Sequence, residues 1–280
     1  MNRKIFARAI LTMAGNCTGG FLLLSFFLCL NTAQAGDTWE MDRRAIRPGI
    51  WKSHQSRFAF AEKDDAFLVT RLRQMTGWQE LNWTGDQLSP GDTSRIAGGS
   101  ATAREIVQCV LHSGHRYLIE SHHKSATVQF GQLDEGTIYS DEQKDIQLMI
   151  WRVRLDFDDF RVMQAPACVR ASFDPGFTMI HELLHGLGHK DTAVVGDIGE
   201  CEQIVNRIRA ELGLLVRGQY HGELVRIGDL ATAARLRFRG RRTGEGDRRP
   251  APEKDYFVWF RPMLIRPEEG PASALSAAME

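Results

Sequence analysis

The run His181-Glu182-Leu183-Leu184-His185-Gly186-Leu187-Gly188-His189-Lys190-Asp191 constrains this chain more than any other stretch. Two histidines four apart fall on one face of a helix, about one turn apart, so both imidazoles reach a single ion. Glu182 projects from the neighbouring face, beside that ion rather than onto it, where a carboxylate can take a proton from water. Phe177-Thr178-Met179-Ile180 leads in without a charge, and Leu183, Leu184 and Leu187 supply the apolar stripe that anchors a helix in a core. A helix serving only as core gains nothing from burying Glu182 beside two titratable rings. The pattern predicts a metal-binding helix, with His181 and His185 as ligands and Glu182 as the general base of a zinc-dependent hydrolysis.

The beginning of the chain follows a different logic. Asn2-Arg3-Lys4 and Arg8 are positive, Gly20 to Leu30 is an apolar run, and Ala33-Gln34-Ala35 is a small-x-small cleavage site. This is the layout of a secretory signal peptide, so residues 1–35 are expected to be removed near Ala35 and the mature chain to be secreted or periplasmic. The apolar run is short for a membrane span and no later stretch qualifies, so no stable membrane insertion is expected after cleavage. With 35 acidic and 35 basic residues, nothing in the charge balance points to nucleic acid or an anionic membrane surface. Cys109, Cys168 and Cys201 remain after cleavage, an odd number in an oxidising compartment. One disulfide and one leftover thiol is the simplest expectation, with the pairing open and Cys168 and Cys201 flanking the motif.

Along the mature chain, residues 36–60 lack periodicity, Lys63 to Met75 reads as a helix, and Gly77 to Gly99 is rich in turn formers. Ser100 opens a helix that runs through Leu111 and stops by Gly114. Tyr117 to Glu120 and Ala126 to Phe130 read as short strands. A longer strand follows, with Met149, Trp151, Val153, Leu155 and Phe157 alternating against Ile150, Arg152, Arg154 and Asp156. Asp174-Pro175-Gly176 turns into the motif helix, and a second helix runs from about Glu200 to Leu212, ended by Gly213. Arg235, Arg237, Arg239, Arg241 and Arg242 crowd together before a stretch rich in Gly and Pro. The aromatic cluster Tyr256 to Phe260 is expected to dock back on the domain, and 267–280 to be a disordered tail.

A catalytic zinc takes three protein ligands and keeps a position open. His189 is the nearest third histidine, but on an unbroken helix it lies eight residues from His181, about 12 Å along the axis. It reaches the same ion only if the helix breaks early. Gly186 and Gly188 permit a break, and a turn at Gly188 swings Asp191 back toward the ion. With that turn the segment resembles the metzincin pattern His-Glu-x-x-His-x-x-Gly-x-x-ligand, and it is similar to the snapalysin branch in carrying Asp at the ligand slot. The resemblance implies a zincin metallopeptidase in which His181, His185 and Asp191 bind one zinc ion and Glu182 is the base. It spans eleven residues, and the methionine turn of that group has no near counterpart, Met263 and Met279 both lying far downstream. A rival arrangement, that of the gluzincins, draws the acidic ligand from the following helix as Glu200 or Glu202. Asn206 to Gly213, continuing to Arg217 and Tyr220, also resembles the tail of bacterial effector-type metallopeptidase domains. Asp191 ranks first, with Glu200, Glu202 and His189 left open.

Other residues have two readings each. Tyr220 and His221 can donate to a developing oxyanion, or form a plain surface pair, which is the reading slightly favoured. His112, His115, His122 and His123 lack any recurring ligand spacing and are expected to be solvated or strand-edge side chains. Arg207, Arg209 and Arg217 can hold a substrate carboxylate, with helix-surface salt bridges as the default.

The expected fold is α+β and zincin-like: a small mixed sheet, an active-site helix and a following helix within residues 100–235. An irregular extension at 36–99 precedes it and an Arg/Pro-rich extension and tail at 236–280 follows. The expected activity is hydrolysis of a protein or peptide substrate, held as an added strand at the sheet edge. Two other classes remain: a non-catalytic envelope protein whose structural metal is closed by Asp191 or His189, and an effector or toxin protease of narrow specificity.

Overall fold

Three parallel strands organise the larger sheet. β1 (Gly49–Lys52) pairs with β4 (Arg116–Ser121), and β4 pairs in turn with β6 (Ile146–Leu155). Every residue of β4 is buried, as befits a central strand covered on both faces. β5 (Gly131–Asp141) lies antiparallel to β6 at one edge, with its register broken between Asp134 and Thr137. At the other edge, β2 (Asn82–Thr84) and β3 (Gln87–Ser89) form a hairpin whose two-residue loop begins at Gly85, φ 60°. The resulting order is β2-β3-β1-β4-β6-β5. The computed structural model describes residues 47–53, 59–121, 130–141, 146–227, 231–240 and 254–260, all within one compact unit, Ile46–Glu280.

Four helices close the main core. α1 (Glu62–Thr76) places Glu62, Asp64 and Asp65 at its positive end, buries Leu68, Leu72 and Met75, and stops at Gly77 in the left-handed region. α2 (Ala101–His112) is capped by Ser100, whose hydroxyl accepts from the Ala103 N–H at 3.0 Å. α5 (Pro175–Gly186) starts on Asp174, which accepts from the N–H groups of Gly176 and Phe177, with Pro175 at the first helical position. α6 (Gly199–Glu211) is tied to α2 through Glu211, which accepts from Ser100 Oγ at 2.6 Å and the Thr102 N–H at 3.1 Å. α5 is apolar nearly all round, and it contacts β5, β6, α1, α2 and α6.

Two short helices, α3 (Phe157–Val162) and α4 (Ala167–Arg170), lead to a smaller antiparallel sheet. It joins β7 (Val216–Arg217), β8 (Glu223–Ile227), β9 (Ala231–Gly240) and β10 (Lys254–Phe260), with β9 central. Leu236, Phe238 and Val258 face inward and build a second core with Phe160, Met163, Val169, Phe173 and Leu215. The Trp259 backbone also exchanges hydrogen bonds with Gln164 at 2.8 and 2.9 Å, so the late aromatic segment docks on the domain.

The fold is α+β with a mixed sheet, and several boundaries differ from the sequence expectation. The described part of the expected irregular extension at 36–99 is ordered into the domain: β1, α1 and the hairpin belong to the main sheet and core. A boundary at 235 would cut through β9. The strand expected through Phe157 ends at Leu155, because Asp156 accepts from the N–H groups of Asp158 and Asp159 and caps α3. Phe130 precedes β5 instead of ending a strand. Cys109, Cys168 and Cys201 are all unbridged, correcting the expected disulfide: Cys201 sits in the main core, Cys168 packs on the second, and Cys109 is exposed on α2. The signal-like residues 1–35, His122, His123, residues 126–129, Arg241, Arg242, Met263, Met279 and the tail lie outside the described residues. Among the described residues, no helix is long and apolar enough to cross a membrane.

Candidate metal centre

α5 delivers His181 and His185 to one face, their ring centroids 5.0 Å apart. The helix ends at Gly186, and Gly188 turns the chain at φ 97°, a value few other residues adopt. After that turn the Asp191 carboxylate spans both rings: Oδ1 lies 3.2 Å from His181 Nε2 and Oδ2 3.1 Å from His185 Nε2. Gly199, at the start of α6, holds the returning loop close. A Cβ there would stand 2.8 Å from the Thr192 nitrogen.

The remaining expected ligands go elsewhere. His189 Nδ1 pairs with Glu200 at 2.9 Å, on the exposed side of the loop. Glu202 reaches the opposite ring edge of His181, Oε2 to Nδ1 at 3.3 Å, a contact distance without an aligned hydrogen bond. His185 is oriented similarly, its Nδ1 lying 3.1 Å from the His189 carbonyl. A carbonyl only accepts, so Nδ1 carries a proton, and in the neutral ring this leaves the Nε2 lone pair as the one free to ligate an ion. Partners of this kind on the far ring nitrogen hold a metal-ligating histidine in the correct tautomer.

This group can hold a metal ion. His181, His185, Asp191 and Cys201 each offer a ligand atom, all within 4.8 Å of one another. Asp191 Oδ1 is buried without a hydrogen-bond partner, an acceptor that a cation would satisfy. Cys201 stands apart from the other three. Its Sγ approaches His185 at Nδ1, 3.5 Å away, on the ring edge opposite the one that meets Asp191.

The electrostatics follow from this packing. Burial pushes the His181 imidazolium down, but Asp191 and Glu202 outweigh it and hold its pKa at about 9. Contact with Asp191 also raises His185. Asp191 is partly buried, which opposes its charge, yet the two imidazoles keep it well below the ordinary carboxylate range. Glu182 behaves in the opposite way: burial raises its pKa against the pull of His181 and His185. Glu202 is fully buried, and Arg209 and Arg217 nevertheless keep it ionised.

Glu182 lies beside the trio, and its carboxylate accepts from the Leu133 N–H of edge strand β5. β5 comes this close because residue 131 is glycine: a Cβ there would stand 2.3 Å from Thr178 Cγ2 and 3.0 Å from Glu182 Oε1. Gly131→Ala is expected to cost about 1–3 kcal/mol through overpacking, read as a lower thermal midpoint, and to displace β5 from Glu182.

Tyr220, expected with slight preference to be a surface residue, stacks on His181 at 5.7 Å and donates its hydroxyl to Asp191 Oδ2. His221 contacts the Thr192 carbonyl at 3.0 Å, bracing the loop after Asp191. His112 and His115 stay outside the centre: His112 contacts the Gln108 carbonyl and His115 accepts from Trp151 Nε1. Arg207 is exposed, whereas Arg209 and Arg217 both grip Glu202. Beside the trio opens a cavity of about 240 Å³, lined by Phe130, Gly131, Phe173, Phe177, Glu182, Arg209 and Arg217 among others. Gly131, Cys201 and the role of Glu202 behind His181 carried no local signal in the sequence, because each acts through a partner far along the chain. Comparisons of the chain with protein-family models, curated proteins and solved structures match nothing.

Proposed function

We propose that this chain is an exported zinc-dependent metallopeptidase of the zincin type, acting on a protein or peptide. The observation that carries the reading is the meeting of His181, His185 and Asp191, with Glu182 beside them but not among them. Two imidazoles and one carboxylate are a donor set suited to catalytic zinc. Bound there, zinc would polarise a carbonyl and make water more acidic. Glu182 then takes the proton from water and passes it to the leaving amine, a task favoured by burial, which raises its pKa above the ordinary carboxylate value. Tyr220, next to His181, donates its O–H to Asp191 in the ion-free site and can turn that proton to the developing oxyanion once an ion engages Asp191. Among the described residues β5 is an edge strand, and that edge, adjacent to Glu182 at Leu133, can take an extended peptide as an added strand. Export follows from the signal-like layout of residues 1–35.

The deciding experiment is cleavage of a broad peptide library by the purified mature chain, with and without a chelator and with zinc restored. Chelator-sensitive cleavage supports the reading. Absence of cleavage across the library, with zinc bound, overturns it. One observation favours a second reading, a closed structural site: Cys201 is the fourth potential ligand. Its position at Nδ1 of His185 argues against that, and Cys201→Ser should leave zinc stoichiometry unchanged.

Ion uptake should depend on pH in a defined direction. A ligating imidazole must be neutral, and without an ion His181 holds its proton up to a pKa of about 9. Apparent zinc affinity is therefore expected to rise with pH up to about 9, by roughly tenfold per unit for this proton alone. Calorimetry in buffers of different ionisation enthalpy checks this as protons released per ion. Ion-free stability has the opposite sign. The His181 contribution is fully present below the ordinary 6.5 and is lost as pH rises through about 9.

A further inference from the structure

The cavity beside the trio has an unbalanced charge at its inner end. Arg209 and Arg217 share a single carboxylate, Glu202, and all three side chains line the cavity. The nearby Asp174 is matched by Arg71 at 2.5 Å. Glu182 and Asp191 together balance a divalent ion. One positive charge is left over.

Its donors are also incompletely used. Arg209 is 1% exposed, with its guanidinium 4.9 Å from the Phe177 ring centroid and 5.7 Å from that of Phe238. Nε donates to the Ser172 carbonyl at 2.7 Å, and Nη1 donates to Glu202 and to Asn206 Oδ1. Among the described residues, Nη2 has no acceptor. Arg217 directs Nε to the Gln219 carbonyl, Nη1 to Glu202 and Nη2 to the Tyr220 carbonyl, and covers the Phe173 ring at 5.6 Å. A rigid guanidinium fork between aromatic faces, out of water, is suited to a carboxylate. A volume of about 240 Å³ with walls from Phe130, Phe173 and Phe177 admits the side chain or the terminus of one peptide residue.

Resting on the metallopeptidase reading, we propose that this cavity is a specificity pocket for a substrate carboxylate next to the scissile bond, recognised by Arg209 and Arg217. The carboxylate belongs either to an acidic side chain or to the end of the peptide, and the chemistry of recognition is the same.

The test is binding to the zinc-loaded protein, measured by ligand-observed NMR with N-acetylglutamate α-amide, N-acetylglutamine and N-acetylglutamine α-amide. The pocket predicts that one of the two carboxylates binds about tenfold or more tightly than the uncharged amide. Preference for N-acetylglutamate α-amide assigns the side chain, and preference for N-acetylglutamine assigns the terminus. Arg217→Gln leaves Arg209 and Glu202 balanced and should abolish the preference, whereas Arg207→Gln on the exposed face of α6 should preserve it. Equal binding of all three compounds overturns the proposal. So does a preference that survives Arg217→Gln, since the carboxylate would then be held by the ion. Because the readout is binding, failure to cleave any peptide counts against the metallopeptidase reading and not against the pocket.

Discussion

Glu182→Gln is expected to lower peptide hydrolysis by roughly 10²–10⁴-fold while zinc binding stays within a few-fold of the parent. The side chain is 7% exposed and its carboxylate accepts the Leu133 N–H, a bond that the glutamine carbonyl oxygen can keep. Shape and packing are therefore conserved, and burial of a charge is relieved, so the thermal midpoint should not fall. What disappears is the buried carboxylate beside the trio that is not already neutralised by arginine, as Glu202 is by Arg209 and Arg217. Comparing kcat/KM with zinc content on the same preparation separates loss of the base from loss of the ion. Undiminished cleavage would remove Glu182 from the mechanism.

The largest stability effect should come from Glu202→Gln. Glu202 is 1% exposed, sits between Arg209 and Arg217, and contacts His181 Nδ1 on its other side. Removing its charge leaves the buried Arg209 and the half-buried Arg217 without their shared carboxylate, and breaking a buried pair in this way costs about 3–5 kcal/mol. Denaturant unfolding with a chelator present measures that cost free of any contribution from the ion. The same substitution releases His181 from its far-side partner, which should weaken zinc binding by roughly 10–100-fold. Glu200→Gln provides the contrast. Glu200 is exposed and pairs with His189, so both quantities should remain near the parent values.

The two predictions rest on residues that were unequally legible in the sequence. His181, Glu182 and His185 are a local signal, since helical spacing alone brings them together, and the turn at Gly188 that returns Asp191 is local too. α1, α2, α5 and α6 were readable from periodicity and caps, because their signals lie within each helix. The hairpin of β2 and β3 was hidden in a stretch dominated by turn residues, where strands of three residues have too few positions to alternate. β5 was missed because Gly131 to Asp141 is polar and, among the described residues, pairs along only one side, so burial imposes little pattern on it. Glu202 and Arg209 lie two turns apart on α6, but the approaches of Glu202 to His181 and of Gly131 to Thr178 are tertiary contacts between different elements.

The turn at Gly188 has a thermodynamic consequence beyond its geometry. His181, His185 and Asp191 fall within one eleven-residue stretch, so chelation closes only a short loop. The unfolded chain can bring those side chains together at modest entropic cost, and it therefore retains some affinity for the ion. A ligand that also binds the unfolded state stabilises the native state by less than its affinity implies. Added zinc should accordingly raise the thermal midpoint less than its dissociation constant alone would indicate.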